Sequence, residues 1–208
     1  METKDNVTRP IERKKDVYVK VFDATKKVMY SDQTGRFPVT SSHGHKYVMV
    51  AVELDGNYID AEAMTSRDTK ELTRAYQAIW KRWEATGVIN PNWHVLDNEA
   101  PEAFKTNIRK NGCFVELTPA DVHRRNIAER AIQTWKGHFI SVLAGVDDKF
   151  PLHEWDRLIQ QVTLTLNLLR QSNVSPNVSA YAHHHGQFDY NRMPLAPMGC
   201  AVQFHENP

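Results

Sequence analysis

Cysteine is nearly absent from this sequence. Its 208 residues include two, Cys113 and Cys200, far apart and without a CxxC companion. That scarcity excludes a disulfide framework and a cysteine-based zinc site, and it fits an intracellular, reducing setting. An excess of one charge is also missing: the formal net charge is +1, so total charge names no partner and any electrostatic argument must be local. No run approaches the roughly 18 apolar residues of a membrane span. The polar start METKDNVTRPIERKKD has no apolar h-region, so neither secretion nor membrane insertion is expected. What is present, 41% hydrophobic and 25% charged residues, is the composition of a globular protein long enough for one domain with extensions.

Three stretches follow from the texture of the chain. Residues 1–27 hold eight Lys/Arg against five Asp/Glu and few apolar side chains, which reads as a polar N-terminal arm. Residues 28–172 alternate strand and helix patterns. The runs KVMYSDQTGRFPV, KYVMVAVEL and NYIDAEAM, the last two joined by the turn signal Asp55-Gly56, read as an antiparallel meander. From Asp68, which forms a capping box with Glu71, the period becomes helical. Leu72, Ala75, Tyr76, Ile79, Trp80 and Trp83 then share one face up to Gly87. A strand ending at Asp97, a short helix over 101–110 and a fifth strand, CFVELT, come next. Strands separated by helical crossovers run parallel. Two longer helices are expected over 124–143 and 152–169, the second with an apolar stripe from Leu152 to Leu169. Residues 173–208 lose periodicity, carry Pro176, Pro194 and Pro197, and read as an extended surface segment leading toward a further module. The fold class is therefore α/β, with a five-stranded mixed sheet of three antiparallel strands followed by two parallel ones, flanked by helices.

Three acidic residues stand out on these elements. Asp97 ends the apolar run WHVL, and in parallel α/β sheets function collects at the carboxyl ends of strands. Asp32 lies inside the first strand, where alternation places it on the face of Tyr30; a carboxylate there is costly unless something pairs with it, and a metal ion would. Glu129 lies off the apolar stripe of its helix, beside arginines. If that helix packs beside the first and fourth strands, the three converge and can hold two hard divalent cations through oxygen, as phosphodiester chemistry requires. Plainer readings stand beside this. In these, Asp97 or Asn98 caps the next helix, and Glu129 pairs with Arg125, one turn away.

The ordered set SDQTGRFPVTSSHGHKYVMVAVELDGNYIDAEAM, HVLDNEA, HRRNIAERAIQTWKGHF, PLHEWDRLIQQVTLTLNLLRQSNVSP and PLAPMGCAV resembles the catalytic core of retroviral-type integrases. It resembles more closely the integrase region of copia-like and related retrotransposon polyproteins. The resemblance covers about residues 28–205. It implies a ribonuclease-H-like fold and a DDE polynucleotidyl transferase or nuclease. Asp32, Asp97 and Glu129 become catalytic residues and ligands of two Mg²⁺ or Mn²⁺ ions, with no zinc. The implied chemistry joins the 3′ ends of element DNA to target DNA. The implied protein is a homo-oligomer acting in the nucleus, with no membrane partner. It also places Gln133 and Lys136 against DNA. Three departures are visible: Asp97-Asn98-Glu99 replaces the family's Asp-Asn-Gly, the stretch TPADVHRR lacks glycine, and residues before Met29 contain neither Cys nor His.

The near-neutral total hides a basic region. From Phe104 to His138 there are seven Lys/Arg against three Asp/Glu, and Arg124, Arg125, Arg130 and Lys136 are candidates to neutralise phosphates. His183-His184-His185 does not read as a metal site, since consecutive side chains do not converge on one ion. Two other functions remain open. One is a ribonuclease H, with Glu71 as a fourth carboxylate; the other is an inactive or domesticated DNA-binding relic of an element.

Overall fold

The computed structural model describes residues 26–87, 90–118, 127–197, 200 and 203. Strands β1 (Val28–Gln33), β2 (Tyr47–Glu53) and β3 (Tyr58–Met64) form the expected meander, with β2 antiparallel to both neighbours. Helix α1 (Thr69–Thr86) then carries the chain across the sheet to β4 (Trp93–Leu96), which pairs parallel to β1. Helix α2 (Glu102–Lys110) returns it to β5 (Phe114–Leu117), parallel to β4. The strand order is β3-β2-β1-β4-β5, a five-stranded mixed α/β sheet.

The sheet has a core on each side because β2 is buried on both faces. Met49 and Ala51 point toward α1 and α2, where Leu72, Ala75, Tyr76, Ile79, Trp80 and Trp83 are all buried. Val48, Val50 and Val52 point the other way, toward α3 (Ile127–Ala144) and α4 (Ile159–Leu169), meeting Trp135, Phe139 and Val162. Period-2 alternation along one apolar strand thus feeds two hydrophobic layers. Asp68 caps α1 by accepting the Glu71 N–H at 2.8 Å. Glu71 does not close the capping box on Asp68; its carboxylate takes the Thr65 N–H instead, at 2.9 Å.

Two stretches differ from the sequence reading. The run 152–169 is not one helix: after Pro151, Leu152–Leu158 forms a 3-10 helix before α4 begins. With three residues per turn, Trp155 and Leu158 share its buried face, while Leu152 and Leu169 at the two ends of the run stay exposed. Residues 173–208 are not extended throughout either. Helix α5 (Ala180–His185), capped by Ser179 through the Ala182 N–H, buries Ala180 and His184. His184 Nε2 meets Glu53 Oε2 at 3.0 Å, and the same carboxylate accepts the Asp55 and Gly56 N–H groups, each at 2.7 Å. Glycine is required at 56 because a Cβ there would lie 2.0 Å from His184 Nε2.

Side chains occupy the open edge of the sheet: Arg82 and Arg74 donate to the Ala61 and Ala63 carbonyls, and Asn167 pairs with Ile59. β3 is an edge strand, and fully buried Asn167 on α4 accepts the Ile59 N–H at 2.9 Å and donates to the Ile59 carbonyl at 2.7 Å. It occupies both backbone groups of Ile59, which an edge strand otherwise leaves unpaired. Replacing it by leucine strands both, and Asn167→Leu is expected to lower the unfolding free energy by about 2–4 kcal/mol in urea denaturation. An unchanged midpoint would contradict this role.

Candidate active site

The carboxyl ends of β1 and β4 lie side by side, and their register fixes where the acidic residues fall. Val28 is level with Trp93, Met29 with His94 and Tyr30 with Val95. Carried two residues further, the same register sets Asp97 level with Asp32. Alternation settles the face. Met29 and Leu96 belong to the core under α1, so Asp32 and Asp97, one step from each parity, are on the face that α3 covers. Glu129 is exposed in the first turn of α3, which packs across β1 and β2.

Electrostatics report the same convergence. The Asp32 carboxyl is raised above its ordinary range, first by burial. A hydrogen bond from the Gln33 N–H at 2.7 Å opposes this, the Asp97 charge raises it, Arg67 lowers it, and the Glu129 charge raises it again. Neighbouring like charges that raise the Asp32 carboxyl are the condition a cation relieves. Asp32, Asp97, Glu99 and Arg67 line a pocket of about 190 Å³ together with Met49, Leu72, Leu96 and Phe104 of the core under α1 and α2, so it opens on that side of the sheet end. Glu129, on the α3 side, is not among its lining residues. Gln33, whose parity puts it on the α1 face with Ser31, lines the same pocket, and its buried Oε1 has no hydrogen-bond partner among the described residues. Three carboxylates offer only oxygen donors, the kind a hard divalent ion takes.

Asp97 and Asn98 do not cap α2. The cap position is Pro101, without a side-chain hydrogen bond, and the Asp97 carboxylate takes only the adjacent Asn98 N–H, at 2.7 Å. Glu71 is held by Thr65 and Arg74 and is not among the pocket-lining residues. On α3, Arg130 and Gln133 are exposed and Lys136 is half-buried, on the outer surface of the helix that carries Glu129. Arg124 and Arg125, and the stretch TPADVHRR beyond its first residue, lie outside the described residues, as does the arm up to residue 25.

Two residues at the site were not singled out from the sequence. Arg67 donates to the Thr34 carbonyl at 2.5 Å and lies over the Tyr47 ring, a fixed cation beside Asp32. In the sequence it is one basic residue before a helix cap, with no signal of its place. His94 lies beneath the site, fully buried, with Nε2 2.8 Å from Ser31 Oγ and its ring stacked on Tyr76. Alternation within WHVL hints only that His94 faces inward.

No protein-family model and no curated protein matches the sequence. Solved structures do. The chain is 12% identical to the catalytic core domain of BIV integrase, with a TM-score of 0.55, covering 76% of this chain and 92% of that one. It is 14% identical to a chain of a simian T-cell lymphotropic virus intasome in complex with the PP2A regulatory subunit B56 gamma, with a TM-score of 0.60. That match covers 86% of this chain and 60% of the other. The protein therefore has the ribonuclease-H-like fold of retroviral integrase catalytic cores.

Burial holds the His94 pKa down to about 3, so the imidazole is neutral when folded and takes a proton on unfolding below its ordinary value of about 6.5. This contribution to stability is complete above pH 6.5 and is lost as pH falls toward 3. Between those limits it has a slope of up to about 1.4 kcal/mol per pH unit. Urea unfolding across this window should show a shallower pH dependence in His94→Leu than in the parent; equal slopes would contradict the assignment.

Proposed function

We propose that this chain is the catalytic core of an integrase-type DDE enzyme of a retrotransposon-type element, joining the 3′ ends of element DNA to a target strand. The observation that carries the reading is the level placement of Asp32 and Asp97 at the ends of parallel neighbours β1 and β4, with the Glu129 charge acting on Asp32 from α3. Asp32, Asp97 and Glu129 would hold two Mg²⁺ or Mn²⁺ ions. Bound there, such ions activate a hydroxyl nucleophile and stabilise the leaving oxygen in phosphodiester exchange.

The chain's own residues have separate tasks. Arg67 stands as a fixed positive charge at the pocket wall and balances part of the acidic cluster between turnovers. Arg130, Gln133 and Lys136 line the DNA on the outer side of α3, joined by Arg124 and Arg125; such phosphate contacts weaken steeply with salt. Glu99, exposed at the pocket rim where the resembling family has glycine, adds negative charge next to the ligands and tunes their affinity for the ions. Action on two DNA ends calls for a homo-oligomer, working in the nucleus. Among the described residues no helix is long and apolar enough to cross a membrane.

Hydrolysis of RNA–DNA hybrids is the competing chemistry on this fold. The engagement of Glu71 by Thr65 and Arg74 disfavours it, since that carboxylate is committed elsewhere. The test is strand transfer and nicking of duplexes carrying the element's ends, in Mn²⁺. Asp32→Asn, Asp97→Asn and Glu129→Gln should each lower the rate by about a hundred-fold or more, the factor that several kcal/mol of lost charge stabilisation represents. Undiminished activity in Asp97→Asn refutes the triad, and cleavage confined to RNA–DNA hybrids favours the hydrolase.

A further inference from the structure

On the far side of the molecule's β1–β2 connection, three side chains from distant parts of the chain meet. His43 Nδ1 lies 2.9 Å and His45 Nδ1 2.7 Å from the same oxygen, Oδ2 of Asp156. Asp156 comes from the 3-10 helix, more than a hundred residues later in the sequence. Its side chain is only 5% exposed, and its second oxygen, Oδ1, is buried with no hydrogen-bond partner among the described residues. We propose that His43, His45 and Asp156 form a binding site for a transition-metal ion of the Zn²⁺ class, separate from the acidic pocket and independent of the function proposed for it.

The geometry is close to a ligand set. The three donor atoms lie within 4.8 Å of one another. Metal–ligand bonds of about 2.0–2.2 Å in a tetrahedron put donors roughly 3.3–3.5 Å apart, so side-chain torsions alone close the difference. The loop is already built. Ser41 N–H donates to the His45 carbonyl at 2.9 Å, and Gly44 N–H to the Ser41 carbonyl at 2.9 Å. Gly44, at φ +82°, supplies the left-handed residue that returns the chain and sets its two flanking imidazoles on one carboxylate. The loop is also tied to the 3-10 helix independently of the cluster: Ser42 N–H donates to the His153 carbonyl at 2.7 Å, and Trp155 Nε1 to the Val39 carbonyl at 2.9 Å.

Donor chemistry selects the ion. Two imidazole nitrogens and one carboxylate suit Zn²⁺, Co²⁺ or Ni²⁺, whereas Mg²⁺ and Ca²⁺ prefer all-oxygen cages. With Nδ1 on the metal, each ring keeps its proton on Nε2, and the ion takes the place of the Nδ1–H contacts to Asp156 Oδ2. The cluster opens into a pocket of about 310 Å³, which leaves room for water as fourth ligand. Glu62, at its wall, is engaged by Arg74 and Arg82. The ion would clamp the loop that follows β1, the strand bearing Asp32, onto the helical layer behind the sheet. In the sequence this set is inconspicuous beside the three consecutive histidines His183–His185. Those diverge: His183 approaches Ser172, His184 Glu53, and His185 Tyr58.

Titrating metal-free protein with Co²⁺ separates this site from the acidic one, because nitrogen-ligated four- or five-coordinate Co²⁺ gives intense visible bands and all-oxygen octahedral Co²⁺ gives weak ones. One equivalent of intensely coloured complex is expected, displaced by Zn²⁺ but not by excess Mg²⁺. It should be kept in Asp97→Asn and His183→Ala and lost in His43→Ala and Asp156→Asn. His43 is half exposed, so His43→Ala keeps the fold, as its thermal unfolding without metal should verify. Absent intense bands in the parent, or bands of equal intensity in His43→Ala, would overturn the site.

Discussion

The parallel pairing of β1 with β4 is the constraint on which the rest of the site depends. Two strands far apart in sequence are brought side by side because α1 carries the chain back over the sheet. That helix can do so because six of its side chains, two of them tryptophans, are buried against Met49, Met64 and their neighbours. Each such large side chain contributes about 1.5–3 kcal/mol by leaving water, enough to fix the crossover. Once the pairing is set, backbone hydrogen bonds determine that Asp97 falls level with Asp32. A slip of one residue in β4 would turn Asp97 to the opposite face.

Buried polar groups hold this frame in register. His94 joins β4 to β1 through Ser31, immediately before Asp32. Asn167 pairs with Ile59 on the β3 edge, and Glu53 with His184 fastens the β2–β3 turn to α5. Each pair is costly to bury and therefore tolerates few alternative arrangements, which makes these contacts determinants of register as much as of stability. Arg82, shared between Asp60, Glu62 and the Ala61 carbonyl, does the same between α1 and β3. The acidic residues lie at the rim of this frame, with Asp97 and Glu129 exposed.

Much of the architecture is legible in the sequence because it is written in periodicity. The six-residue stripe of α1, the alternation of β2 and the strand–helix alternation after Asp68 lead directly to the sheet order. What the sequence conceals is long-range pairing between polar residues. Nothing in TSRDTK announces that Arg67 lies beside Asp32, and HGH does not name Asp156 as its partner. The split of 152–169 into a 3-10 helix and α4 was hidden because residues three apart fit both periods. Helix α5 was hidden by the proline-rich stretch around it, although Ser179 is a cap signal. Of the three acidic residues, order and element type are visible in sequence, while their proximity needs the fold.

The central claim is that Asp32 and Asp97, with Glu129, form a cation site at the ends of β1 and β4. Anomalous diffraction from crystals soaked in Mn²⁺ tests it most directly. A Mn²⁺ peak within coordinating distance of the Asp32 and Asp97 carboxylates is the expected result. Crystals with ordered side chains at both positions and no Mn²⁺ between them, Asp32 being paired with Arg67 instead, would contradict it.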